Sequence, residues 1–145
     1  MTPSKLRESK KTIMVVDDNQ DLVEIVRLTL ESKGFKVRCA YNGQELLDSL
    51  ERQKPDLILL DIMMPEMDGL EVFTRIKGNP DTASIPVILL SAKALEEDVR
   101  IGYKLGADEY ITKPFTRTQL MTSIHRHLRG PDYSPSPPIA LSEGS

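Results

Sequence analysis

The chain has 145 residues, 39% apolar and 28% charged, with 19 lysines and arginines against 22 acids and a formal net charge of −3. This is the length and composition of one ordinary globular domain, and its one cysteine, Cys39, excludes an intramolecular disulfide or a multi-cysteine metal centre. The mild acidity argues against direct nucleic-acid binding, and no apolar run approaches the ~18 residues of a membrane-spanning helix, so a cytoplasmic protein is expected.

Residues 1–11 are polar, with four basic side chains against Glu8, and read as a flexible N-terminal segment. Ile13-Met14-Val15-Val16 follows, the first of three continuous apolar tetrads. Each is too short for a core helix and fits a strand covered on both faces. Leu22, Ile25, Val26 and Leu30 recur at helical spacing, and Gly34 supplies the stop. Phe35, Val37 and Cys39 alternate with Lys36 and Arg38, as in a strand nearer an edge, with Cys39 as a small core residue. Asn42 caps a second helix carrying Leu46, Leu47 and Leu50. Leu57-Ile58-Leu59-Leu60 is the third strand, and Asp68 caps a helix with Val72, Phe73 and Ile76. Val87-Ile88-Leu89-Leu90 is the fourth strand, followed by a fourth helix from about 95 to 105 that stops at Gly106. Tyr110-Ile111-Thr112 makes a weaker fifth strand, and Leu120, Met121, Ile124 and Leu128 mark a fifth helix. Residues 130–145 hold Pro131, Pro135, Pro137 and Pro138 among serines and read as a disordered tail or linker, leaving a compact domain over 12–129. Five strand–helix alternations predict an α/β, doubly wound parallel sheet with helices on both faces. The flavodoxin-like (βα)5 strand order 2-1-3-4-5 is the commonest such arrangement.

Ligands of these sheets bind at the carboxyl ends of the strands, where the strand order switches. Directly after the apolar runs come Asp17 and Asp18, then Asp61, then Ser91, and finally Lys113 with Pro114. The 2-1-3-4-5 order brings these side chains to one rim. Two carboxylates at 4 Å repel by about 4 kcal/mol at an effective dielectric of 20, which a bound cation relieves. The ligands are hard oxygens without Cys or His, so Mg²⁺ or Mn²⁺ is favoured over zinc. A carboxylate nucleophile, a divalent metal, a lysine and a hydroxyl are the parts needed to transfer a phosphoryl group to an aspartate.

The motifs Val15-Val16-Asp17-Asp18-Asn19, Asp61-Ile62-Met63-Met64-Pro65 with Asp68-Gly69, Ser91-Ala92-Lys93 and Gly106-Ala107-Asp108-Glu109-Tyr110-Ile111-Thr112-Lys113-Pro114-Phe115 stand in order, each at a strand end. With them the sequence resembles the receiver domain of two-component response regulators over nearly the whole compact region. The resemblance implies that Asp61 is the phosphoacceptor, charged by a sensor histidine kinase or phosphotransfer protein. It implies a Mg²⁺ site made by Asp18, Asp61 and the backbone carbonyl of Met63, with Asp17 acting through metal-bound water. Lys113, Ser91 and Ala92 would contact the phosphoryl oxygens, the Lys113–Pro114 bond would be cis, and Ser91 with Tyr110 would form the switch. A downstream protein or output domain would dock on the fourth helix, fifth strand and fifth helix, with the chain a monomer or a dimer formed on phosphorylation. Ser91 replaces the commoner threonine, and Met63 stands where the family tunes the lifetime of the aspartyl phosphate.

Plainer readings exist for single residues. Asp17-Asp18 and Ser91 are good helix caps, and Tyr110 could be ordinary strand filling. Met63, Met64 and Met67 fit loop packing or an adaptable partner surface. His125 and His127 are two apart on a helix, make poor joint metal ligands and read as a solvated face. Arg117, Arg126 and Arg129 lack the interleaved aromatics of a nucleic-acid site. The alternative function is a Mg²⁺-dependent phosphatase or mutase with an aspartyl-phosphate intermediate. Such enzymes place a second aspartate two residues after the nucleophile, and here that position is Met63. A nucleotide or flavin module needs a glycine-rich first loop, where this chain reads Asp17-Asp18-Asn19-Gln20. No recognisable output module follows Arg129: either the domain works alone or the chain is a piece of a longer regulator.

Overall fold

In the computed structural model, residues 10–64, 69–92 and 106–128 are described. Along them run β1 (Thr12–Val16), α1 (Gln20–Ser32), β2 (Lys36–Ala40), α2 (Gly43–Arg52), β3 (Leu57–Asp61), α3 (Gly69–Gly78), β4 (Val87–Ser91), β5 (Glu109–Thr112) and α4 (Arg117–Leu128). The five strands form one parallel sheet in the order β2-β1-β3-β4-β5, the order expected from the alternating pattern. The predicted helix over 95–105, together with Pro65, Met67, Asp68, Lys93, Arg129 and residues 130–145, lies outside the described residues.

The apolar tetrads become strands because both of their faces are covered. Every residue of β3 and β4 is buried, and alternate side chains enter two separate cores. Met14, Val16, Ile58, Leu60, Val87 and Leu89 pack with Leu46 and Leu50 of α2 and with Val72, Phe73 and Ile76 of α3. Ile13, Val15, Leu57, Leu59, Ile88 and Leu90 pack on the opposite face with Val23, Val26 and Leu30 of α1 and with Leu120 and Ile124 of α4. The edge strands β2 and β5 are less covered.

The helix ends follow local chemistry. Asn19 Oδ1 accepts the Leu22 amide at 3.1 Å, and Asn42 Oδ1 accepts that of Glu45 at 2.8 Å. Thr116 and Gln119 exchange side-chain-to-backbone bonds before α4, the reciprocal box of a Thr-x-x-Gln start. Gly34, at φ 95°, closes α1 while Phe35 N–H donates to the Leu30 carbonyl at 3.1 Å.

Three expectations are corrected by the packing. Ile25 was placed on the buried face of α1, but it is 62% exposed, and the inward face is Val23, Val26 and Leu30. The stripe that meets the sheet is the one that packs with Ile13, Val15 and Leu59. Cys39 is half-buried at the margin of a core rather than within it, and burial pushes its thiol up. His125 and His127 do not form a solvated face. His125 packs edge-on against Phe35 with ring centres 6.0 Å apart, and His127 Nε2 lies 2.8 Å from Glu109 Oε1.

Candidate functional site

Strand register creates the site. Val16 pairs with Leu60, so the residue after β1, Asp17, stands beside Asp61, the last residue of β3. The alternation that sends Val15 and Leu59 to one face carries Asp17 and Asp61 to that face too, and a one-residue slip of either strand would separate them. The ladder continues past the strand ends: Asp17 N–H donates to Ala40 O, Ile62 N–H to Leu90 O and Lys113 N–H to Ser91 O. These bonds extend the β1–β2, β3–β4 and β4–β5 ladders to the residues that carry the site.

The three aspartates come together as expected. Asp17, Asp18 and Asp61 each offer a carboxylate oxygen, all within 4.8 Å of one another, with Asp17 and Asp61 buried and Asp18 exposed. Asp17 Oδ1 accepts the Asn19 amide at 2.9 Å, and Asp61 Oδ1 accepts the Met63 amide at the same distance. Lys113 reaches in from the end of β5. Its Nζ lies 2.5 Å from Asp17 Oδ2 and 3.5 Å from Asp61 Oδ2. Burial, aided by the charge of Asp17, raises the Asp61 carboxyl above its ordinary value; the Met63 amide and Lys113 act against that rise.

The remaining predicted residues surround this centre. Ser91 is fully buried at the end of β4, where its Cα pairs with that of Thr112, and Ala92 follows it at the surface. Tyr110, on β5, is half-buried and packs against the α2/α3 core. Met63 is 47% exposed beside Asp61. The Lys113–Pro114 peptide bond is cis.

The donor set fits a small hard cation. Three carboxylates converge with one half-buried ammonium against two of them, so excess negative charge stays at the mouth, where Asp18 is exposed. Neither Cys nor His belongs to this cluster.

Sequence reasoning missed a second charged group at the far end of β5. Glu109 receives Ser123 Oγ at 2.7 Å, Arg126 Nη1 at 2.8 Å and His127 at 2.8 Å, all from α4. Burial alone would push Glu109 up, but these donors together hold it below its ordinary value. The signal available in sequence was weak, because the partners lie on different elements.

Comparison with known proteins agrees with this geometry. The model of the response regulator receiver domain family matches residues 13–125. A signal receiver domain of a signal transduction histidine kinase from Syntrophus aciditrophicus is 36% identical, with 87% of this chain and 96% of that one covered and a TM-score of 0.78. A CheY-like response regulator receiver domain protein from Methanospirillum hungatei is 29% identical over 83% and 95% of the two chains, with a TM-score of 0.79. Chemotaxis protein CheY4 of Vibrio cholerae is 26% identical over 82% and 99%, with a TM-score of 0.78. The chain belongs to the response regulator receiver domain family.

Proposed function

We propose that Asp61 is the phosphoacceptor of this receiver domain, with residues 12–129 as the working unit. The family's role is phosphoacceptor signalling, and a receiver domain implies a histidine kinase or phosphotransfer partner. The observation that carries the assignment of Asp61 is that this member of the acidic cluster, at the switch in strand order, also faces Lys113 Nζ at 3.5 Å.

Both buried carboxylates of the cluster accept a backbone amide at Oδ1, but Lys113 Nζ holds Asp17 Oδ2 at 2.5 Å and stands 3.5 Å from Asp61 Oδ2, which leaves the Asp61 oxygen the more loosely held of the two. In the proposed step a carboxylate oxygen of Asp61 attacks the phosphorus of a phosphohistidine. An O–P bond forms as the P–N bond breaks, and the imidazole leaves as the neutral ring after taking a proton from solvent. Lys113 shifts from the carboxylates onto the incoming oxygens, keeping its ammonium paired throughout. The hydroxyl of Ser91 and the Ala92 amide are proposed to bind further oxygens, and Tyr110 to repack behind Ser91. Asp18, Asp61 and the Met63 carbonyl would hold Mg²⁺, with Asp17 reaching it through water. Bound there, Mg²⁺ supplies positive charge to the transferring oxygens. Energetically, the phosphate shifts the resting equilibrium only by its extra contacts in the active arrangement.

The phosphatase or mutase alternative lacks its proton donor, because the thioether of Met63 has no proton to give. Partner docking on the 95–105 segment, β5 and α4, and a cytoplasmic setting, are part of the same proposal. Among the described residues no helix is long and apolar enough to cross a membrane.

The test is incubation with Mg²⁺ and acetyl phosphate followed by intact mass. One base-labile phosphoryl group per chain is expected, absent from Asp61→Asn. Retention of phosphate by Asp61→Asn, or multiple turnover of a phosphate monoester without retained phosphate, would overturn the assignment.

A further inference from the structure

Gly69 opens α3 and is buried. A Cβ at this position would overlap the Cα of Ile62, and would stand 2.6 Å from the Asp61 carbonyl oxygen and 3.0 Å from the Ile62 carbonyl carbon. All three are backbone atoms, so no rotamer change makes room. The backbone of α3 thus touches the backbone that carries Asp61. Gly78, at the other end of the same helix, has nothing within 4 Å of a Cβ.

The contact bears on the site because the other side of the turn is also held. Asp61 pairs with Leu90 in the sheet, and Ile62 N–H donates to the Leu90 carbonyl at 3.0 Å. The turn is therefore clamped between β4 and α3. A methyl group at position 69 can be accommodated by moving α3 out or by rotating the turn. Val72, Phe73 and Ile76 anchor α3, each at 0–1% exposure, whereas the turn carries Met63 at 47%. The less packed partner gives way first. Its rotation would swing the Met63 amide away from Asp61 Oδ1, the bond that aims the carboxylate.

Resting on the phosphoacceptor reading above, we propose that Gly69 is a positioning residue for that reaction: its missing side chain lets α3 press the Asp61–Met63 turn into register with Asp17 and Asp18. What position 69 requires is space.

Two substitutions in the full chain test this, Gly69→Ala and, as a control on the same helix, Gly78→Ala. Mg²⁺ is titrated against the backbone amide resonances of Asp61 and Met63, and phosphate uptake from acetyl phosphate is timed in parallel. Gly69→Ala should displace the Met63 amide, weaken Mg²⁺ binding at least tenfold and slow phosphorylation, while Gly78→Ala matches the wild type in all three. Wild-type Mg²⁺ affinity in folded Gly69→Ala overturns the proposal. If Gly69→Ala does not fold in buffer, the titration is repeated in trimethylamine N-oxide, which favours the compact state. Weakened binding there supports the proposal, and unchanged binding overturns it. A wild-type chain that takes up no phosphate removes the phosphoacceptor reading itself; a wild-type chain that does, matched by Gly69→Ala, removes only the role of Gly69.

Discussion

Replacing Lys113 by methionine, which keeps the apolar stem and removes the charge, asks whether the acidic rim depends on its internal cation. The ammonium lies 2.5 Å from Asp17 and 3.5 Å from Asp61. At an effective dielectric of 20 these separations correspond to about 7 and about 5 kcal/mol of attraction. Desolvating the ammonium offsets several kcal/mol of this, and fixing the side chain up to about 2 more. Removing one partner of a buried ion pair costs about 3–5 kcal/mol. Lys113 is 19% exposed, so water reaches the gap it leaves, and the low end, about 3 kcal/mol, is expected. A cation that binds only the folded chain restores about 2.7 kcal/mol at one hundred times its dissociation constant, and the rim of the variant is one charge more negative. Urea unfolding in EDTA should therefore show Lys113→Met about 3 kcal/mol less stable than wild type. Saturating Mg²⁺ stabilises both chains, so the gap narrows by the ratio of their affinities, and about thirtyfold tighter binding to the more negative rim would bring it to about 1 kcal/mol. Adding Asp61→Asn to Lys113→Met should recover part of the loss in EDTA, since one of two unpaired buried carboxylates is gone. Equal stability of variant and wild type in EDTA, or a loss that Mg²⁺ leaves untouched, would refute the reasoning.

Glu109 gives a pH-dependent counterpart. Its carboxyl is depressed in the folded chain, so its contribution is present above the unfolded value of about 4.3 and is lost as pH falls through the lower folded value. Glu109→Gln should cost about 2 kcal/mol at neutral pH, and the difference from wild type should shrink steadily as pH falls below the unfolded value, measured by urea midpoints along that series. Gly34→Ala should cost about 1–2 kcal/mol through backbone strain alone, because φ is 95° and no atom lies within 4 Å of the added methyl; a neutral result by thermal melting contradicts this. Arg38→Met should loosen the end of α2, whose Ser49 and Gln53 carbonyls the guanidinium binds at 3.0 and 2.7 Å. Faster amide exchange confined to α2 is the expected sign.

The sheet and its rim were legible because both depend on local pattern. Continuous apolar tetrads mark buried parallel strands, and the residue after each tetrad is at a carboxyl end by construction. Asp17, Asp61 and Lys113 could thus be brought together from their order along the chain. What escaped depends on how elements are laid against each other. Arg38 looks like a polar position in an alternating strand, yet it caps α2, because β2 runs beside the end of that helix. His127 was judged against His125 on one helix, whereas its partner Glu109 comes from a strand 18 residues earlier. Ile25 fits a 3.6-residue stripe as well as Val23 does, and only the seating of α1 on the sheet chooses between them. Gly69 was part of a motif, but the backbone approach that requires it cannot be inferred from residue types.

The strand order also dictates the sequence in which a growing chain can build the rim. Synthesis runs from the N-terminus: β1 is made first, β2 adds on one side, and β3, β4 and β5 add in turn on the other. Every strand joins an existing edge, and none has to be inserted between two already paired. Charge accumulates unevenly along the way. Asp17 and Asp18 arrive with β1 and Asp61 with β3, whereas Lys113 follows β5. A nascent sheet paired through β4 therefore brings all three carboxylates together before Lys113 can reach them, and during that interval their counter-charge has to come from dissolved cations.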